Sequence, residues 1–88
     1  MPQLRILRIP SGKSKPNLHV WHVFRYHQLI GEITRVRDET HDTHPYEAFL
    51  IRDNGTKKFI GSFHQKDGRN RAIRLIGVFA NRGDRDGK

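Results

Sequence analysis

The 88-residue sequence has no cysteine. That one absence removes a disulfide framework, a thiolate zinc site and a cysteine nucleophile, so the fold must hold by packing alone. Long apolar runs are missing too: stretches such as Ala48-Phe49-Leu50-Ile51 stop at four residues, whereas a bilayer-spanning helix needs about 20. Hydrophobic residues make up only 34% of the chain and the mean hydropathy is −0.79, which leaves a thin core and no material for a second domain. The segment Met1 to Pro10 carries Arg5 and Arg8 within its apolar stretch and lacks the continuous apolar run of a secretion signal. The expectation is a cytoplasmic, soluble, single-domain protein.

Carboxylates are scarce as well. Seventeen Lys and Arg against nine Asp and Glu give a net charge of +8 and a pI near 10.6, which points to an anionic partner. The first 31 residues contain Arg5, Arg8, Lys13, Lys15 and Arg25 and no carboxylate, while Glu32 to Pro45 is locally acidic and the last 25 residues are again basic. Both ends attract anions and the middle does not.

Residues 10–17 combine two prolines, a glycine, two serines and two lysines, the composition of a loop. Residues 1–17 therefore read as a basic arm with its linker, in which Leu4 to Ile9 is either an edge strand or part of the arm. Residues 18–80 read as the globular domain, and 81–88, with no apolar side chain, as a disordered tail.

Val20 to Tyr26 and Leu29 to Val36 are rich in aromatic and β-branched residues, as strands are. A turn at His27-Gln28 pairs Phe24 with Gly31 and His22 with Ile33 on one face and leaves Trp21 and Arg25 on the other. Further along, Asn54-Gly55 separates two apolar-rich runs, the preferred two-residue hairpin signal. Counting outward from it pairs Leu50 with Phe59, Ala48 with Gly61 and Tyr46 with Phe63 as the core face. The opposite face then holds Phe49, Ile51, Lys58 and Ile60. In residues 67–80, Ala72, Leu75, Ile76 and Phe79 fall at helical spacing, although Gly77 and the β-branched content also suit a strand. The helix is favoured because a one-sided sheet needs a cover. The expected fold is α+β, a three- to four-stranded antiparallel sheet backed by one C-terminal helix, with a small all-β barrel as the alternative.

Glu47, Ile51-Arg52-Asp53, the run Phe59-Ile60-Gly61-Ser62-Phe63 and Ala72 together give this region a pattern that resembles AP2-type and phage-integrase arm-binding DNA-binding domains. The resemblance implies a sheet whose face away from the helix enters the DNA major groove. Carried onto this chain, that face holds Trp21, Arg25 and Lys58. Phe49 and Ile60 depart from the pattern by being apolar there, and Lys66-Asp67-Gly68-Arg69 adds length before the helix.

Arginine and lysine forks on strands are the commonest readers of guanine, which nominates Arg25, Arg35, Arg37, Lys57 and Lys58. Trp21 either stacks on an unpaired base or anchors the core. Arg5, Arg8, Lys13, Lys15, Arg69, Arg71 and Arg74 serve as phosphate contacts, which supply affinity more than sequence preference. The expected function is nucleic-acid binding, DNA favoured over RNA, through the sheet face and basic arms, in a phage- or plasmid-type regulatory or accessory role. One alternative is an accessory or inhibitor protein that binds another protein through Phe49, Ile51 and Ile60. Another is a small basic ribonuclease toxin using His64 with Arg69, Arg71 or Arg74. His41 and His44 with Asp42 have spacing a metal could use, but nothing completes a structural zinc site. Ser11, Ser14 and Ser62 sit in no activating pattern, so no enzyme, cofactor or metal is expected.

Overall fold

The computed structural model describes residues 4–10, 17–36, 44–64 and 66–82. Five strands and a helix follow one another: β1 (Leu4–Ile9), β2 (Leu18–Arg25), β3 (Gln28–Val36), β4 (Tyr46–Ile51), β5 (Lys57–Phe63) and α1 (Gly68–Asn81). The strands form one antiparallel sheet in chain order. This is an α+β fold with five strands, not three or four. The added strand is β1, which pairs with β2 along its whole length, from Leu4 opposite Arg25 to Ile9 opposite Val20. It is held because Leu4 and Ile6 pack against the core. The sheet is open, with β1 and β5 as its edges, so the barrel alternative is set aside.

Residues 68–81 are helical because the helix buries what a strand would leave half exposed. Ala72, Ile76 and Ala80, spaced by four, meet Val23, Ile30, Ile33, Ala48 and Leu50 of the sheet in the core. Fully burying each larger aliphatic side chain contributes about 1.5–3 kcal/mol. The helix sits close because Gly31 has no side chain: a Cβ there would lie 2.5 Å from Cγ2 of Ile76.

The β4–β5 hairpin does not close as a two-residue Asn54-Gly55 turn. The Gly55 N–H donates to the Arg52 carbonyl at 2.9 Å and the Arg52 N–H to the Thr56 carbonyl at 2.9 Å, which makes a three-residue loop of Asp53, Asn54 and Gly55. Gly55 takes the positive φ of +86° that such a loop requires. Oδ1 of Asn54 accepts from the Thr56 N–H at 3.1 Å and its hydroxyl at 2.7 Å. The extra loop residue moves the inner pairing by one, so Leu50 opposes Lys58, Ile51 opposes Lys57 and Phe49 opposes Phe59. A bulge then restores the expected pairs Ala48–Gly61 and Tyr46–Phe63. Between the two irregularities the faces are exchanged. Phe59, expected in the core, is 53% exposed, whereas Ile60, expected outside, packs against the core.

A similar correction applies to β2–β3. The turn is Tyr26-His27, with both residues at positive φ, so Arg25 opposes Gln28. A shift between Val23 and Phe24 then leaves Trp21, not His22, opposite Ile33. This arrangement buries Val23 completely and packs Trp21 against the core, where the expected register would have placed His22. Trp21, Arg25 and Lys58 therefore lie on the side of the sheet that carries α1, not on the uncovered side.

Candidate nucleic-acid interface

The two sides of the sheet differ in charge. On the side away from α1, one row of partners crosses all five strands: Leu7, His22, Glu32, Phe49 and Phe59. Flanking rows add Arg5, Phe24 and Lys57, and Ile9, Val20, Thr34, Glu47 and Ser62. Among the described residues the charges here balance, with Arg5 and Lys57 against Glu32 and Glu47. Glu32 accepts from Lys57 Nζ at 2.9 Å and lies 3.2 Å from Nε2 of His22, while the Lys57 ammonium also rests 5.5 Å from the Phe49 ring centre. The remainder is largely apolar.

The helix side is basic. Arg8, opposite Trp21, Arg25, Arg35 and Lys58 come from the strands, and Arg69, Arg71, Arg74 and Arg82 from the helix and its end. Among the described residues the helix contributes only Asp67 at its start in opposition, and that carboxylate pairs with Arg71 at 3.2 Å. No described carboxylate pairs with Arg8, Arg69 or Arg74.

Several of these cations are fixed by aromatic rings. Arg8 Nη2 lies 2.8 Å from Nδ1 of His19, and the His19 and Trp21 rings are 6.0 Å apart. The Trp21 and Tyr46 rings follow at 5.8 Å. The Arg69 guanidinium sits 5.8 Å from the Trp21 ring centre, and Arg35 sits 4.6 Å from that of Tyr46. Arg35 also donates to the His44 carbonyl at 3.1 Å and the Tyr46 hydroxyl at 3.2 Å. Strand alternation brings His19 and Trp21 to the same side, and the register sets Arg8 beside them. Between β1, β2 and α1 this leaves a cleft of about 430 Å³ lined by Ile6, Arg8, Trp21, Arg69, Asn70 and Ile73. Such positioned guanidinium groups suit phosphate oxygens, which arginine contacts in bidentate fashion.

Of the residues nominated from the sequence, Arg8, Trp21, Arg25, Arg35, Lys58, Arg69, Arg71 and Arg74 thus share the helix side. Arg25 reaches over to the helix and donates to Oδ1 of Asn81 at 2.6 Å, and Lys58 Nζ lies 6.0 Å from the Phe79 ring centre. Arg5 and Lys57 stand on the other side. Lys13, Lys15 and Arg37 lie outside the described residues, as do His41 and Asp42. His19, Tyr46 and Arg82 also belong to the basic side, although sequence reasoning does not single them out. For Arg82 the available signal is the helical pattern through Ala80, which brings the next turn within reach. For His19 and Tyr46 only the register reveals the neighbourhood. Among the described residues no group of three His, Asp or Glu side chains is placed to hold a metal, and no helix is long and apolar enough to cross a membrane. Comparison of the chain with protein-family models, with curated proteins and with solved structures gives no match.

Proposed function

We propose that this protein binds nucleic acid, duplex DNA in preference to RNA, through the basic helix side of its sheet. The observation that carries the reading is the segregation of charge: among the described residues, eight Arg and Lys side chains share the helix side with Asp67, while the opposite side is balanced. A polyphosphate backbone is the common partner for such a surface. Arg71, Arg74 and Arg82 are exposed and span 12 residues of helix and cap, 11 steps or about 16 Å at 1.5 Å per residue. A DNA major groove of about 12 Å admits a helix flanked by phosphates, whereas the deep, narrow major groove of A-form RNA does not. The AP2-like resemblance would turn the uncovered sheet side toward DNA. Its neutral, apolar character favours the helix side instead.

The test is a binding titration at several salt concentrations with duplex DNA, single-stranded DNA and duplex RNA. With about four to six phosphate contacts, log affinity for duplex DNA should fall against log salt with a slope of about −4 to −5. Absence of binding at about 50 mM salt would exclude the reading, and stronger binding to RNA would overturn the DNA preference.

A further inference from the structure

The uncovered side of the sheet is an apolar surface on a strongly cationic protein. We infer that it is the contact surface of a homodimer in which two sheets pack face to face. This goes beyond nucleic-acid binding and does not depend on it.

Three observations identify a second copy as the occupant. The first is charge. Two chains of net charge +8 repel through their helix sides, but among the described residues the uncovered side carries two cations, Arg5 and Lys57, and two carboxylates, Glu32 and Glu47. Lys57 already compensates Glu32 at 2.9 Å, and Arg5 and Lys57 sit on the edge strands, at the rim where solvent screens them. The second is shape. At one end of the central row, Leu7 borders a hollow of about 280 Å³ shared with Arg5, Phe24, Tyr26 and His27. At the other end Phe59 projects, 53% exposed. A two-fold axis running along β3 lays each copy's Phe59 over the other's Leu7 at the lip of that hollow, the reciprocal knob and recess of an isologous contact.

The third is area. The strands contain 36 residues. At about 3.3 Å along a strand and 4.8 Å between strands, the sheet covers roughly 570 Å². Two such faces in contact bury about 1,100 Å², just above the roughly 1,000 Å² expected of a specific interface. Sheets stacked about 10 Å apart leave both helices on the outside, so the basic surfaces remain free.

Sedimentation equilibrium of the full chain between about 1 and 100 μM tests the inference, with circular dichroism as the check of folding. The wild type should approach twice its 10.3 kDa monomer mass. Phe59→Glu and Leu7→Glu should each weaken the dimer by at least about 30-fold, because the two-fold sets each new carboxylate against an apolar side chain of the partner twice over. Val78→Glu, on the outer side of α1, should leave it unchanged. If Phe59→Glu does not fold, Leu7→Glu decides. A wild type that stays monomeric at about 100 μM overturns the inference, and so does a folded face variant that dimerises like the wild type.

Discussion

Phe59 faces Phe49 across the β4–β5 pair with ring centres 5.6 Å apart, and both rings lie on the side of the sheet opposite the core residue Leu50. The hairpin is therefore one residue out of step with a simple Asn-Gly turn in this stretch. Leu50, fully buried, should cost about 2–5 kcal/mol when cut to Ala. Phe59→Ala should cost less than about 1 kcal/mol, and less than Ile60→Ala. Urea unfolding measures all three, extrapolated to low protein concentration so that self-association does not add to apparent stability. A Phe59→Ala loss as large as that of Leu50→Ala would restore the two-residue turn.

Gly31 provides the floor on which Ile76 rests. An Ala side chain there would meet Cγ2, Cδ1 and Cγ1 of Ile76 at 2.5, 2.8 and 3.0 Å, and overpacking of this kind costs about 1–3 kcal/mol. Ile76→Ala leaves a cavity in the same place and should cost about 2–5 kcal/mol. Because one change fills what the other empties, the double variant should lose at least about 1 kcal/mol less than the sum of the two. Strict additivity in a denaturant-based double-mutant cycle would mean that the helix does not sit on this glycine.

The sides of the sheet also differ in what their arginines should do. Replacing Arg71 and Arg74 together by Ala should make the salt slope of duplex binding shallower by about two, close to 0.9 for each phosphate left unneutralised. Arg5→Ala, on the uncovered side, should leave the slope unchanged. Fluorescence anisotropy of a labelled duplex at four or more salt concentrations gives both slopes. A change with Arg5→Ala but not with the helix pair would transfer the interface to the uncovered side.

Much of the fold is legible in local pattern. Ala72 and Ile76 lie on the helical stripe read from spacing, and the pairs Ala48–Gly61 and Tyr46–Phe63 follow from counting along the hairpin. What local pattern hides is the pair of one-residue irregularities between them. Asp53-Asn54-Gly55 and Asn54-Gly55 are both good loops, and the choice depends on whether Ile60 or Phe59 meets the core, a long-range packing energy. A slip of one residue moves a strand's side chains to the other face, which is why Lys58 changes sides through the β4–β5 irregularity and Trp21 and Arg25 through the separate one in β2–β3. The abundance of basic residues is plain in the sequence, but their gathering on one side requires the register. β1 is ambiguous in the sequence for a related reason: Leu4 and Ile6 gain their burial from β2 and α1, far along the chain.

The Tyr26-His27 turn offers a change that should stabilise the protein. Both residues have positive φ, 55° and 133°, in a two-residue connection where Asn-Gly is the favoured pair. The αL value at Tyr26 costs a non-glycine residue about 1–2 kcal/mol. The value at His27 lies still farther from where L-residues settle, so the strain is concentrated there. His27→Gly should relieve it, and part of the gain is offset by about 0.5–1 kcal/mol of added freedom in the unfolded chain. A net increase of about 0.5–1.5 kcal/mol should raise Tm by about 2–12 °C for a domain of this size. Gly55→Ala provides the opposite experiment. Its φ is +86° and a Cβ there would meet nothing within 4 Å, so only backbone conformation is at stake and a loss of about 1 kcal/mol is expected. Calorimetric scans should move in opposite directions for the two variants. If His27→Gly lowers Tm instead, the imidazole makes contacts that outweigh the strain, and the hollow it lines with Arg5, Leu7, Phe24 and Tyr26 would be the place to look for them.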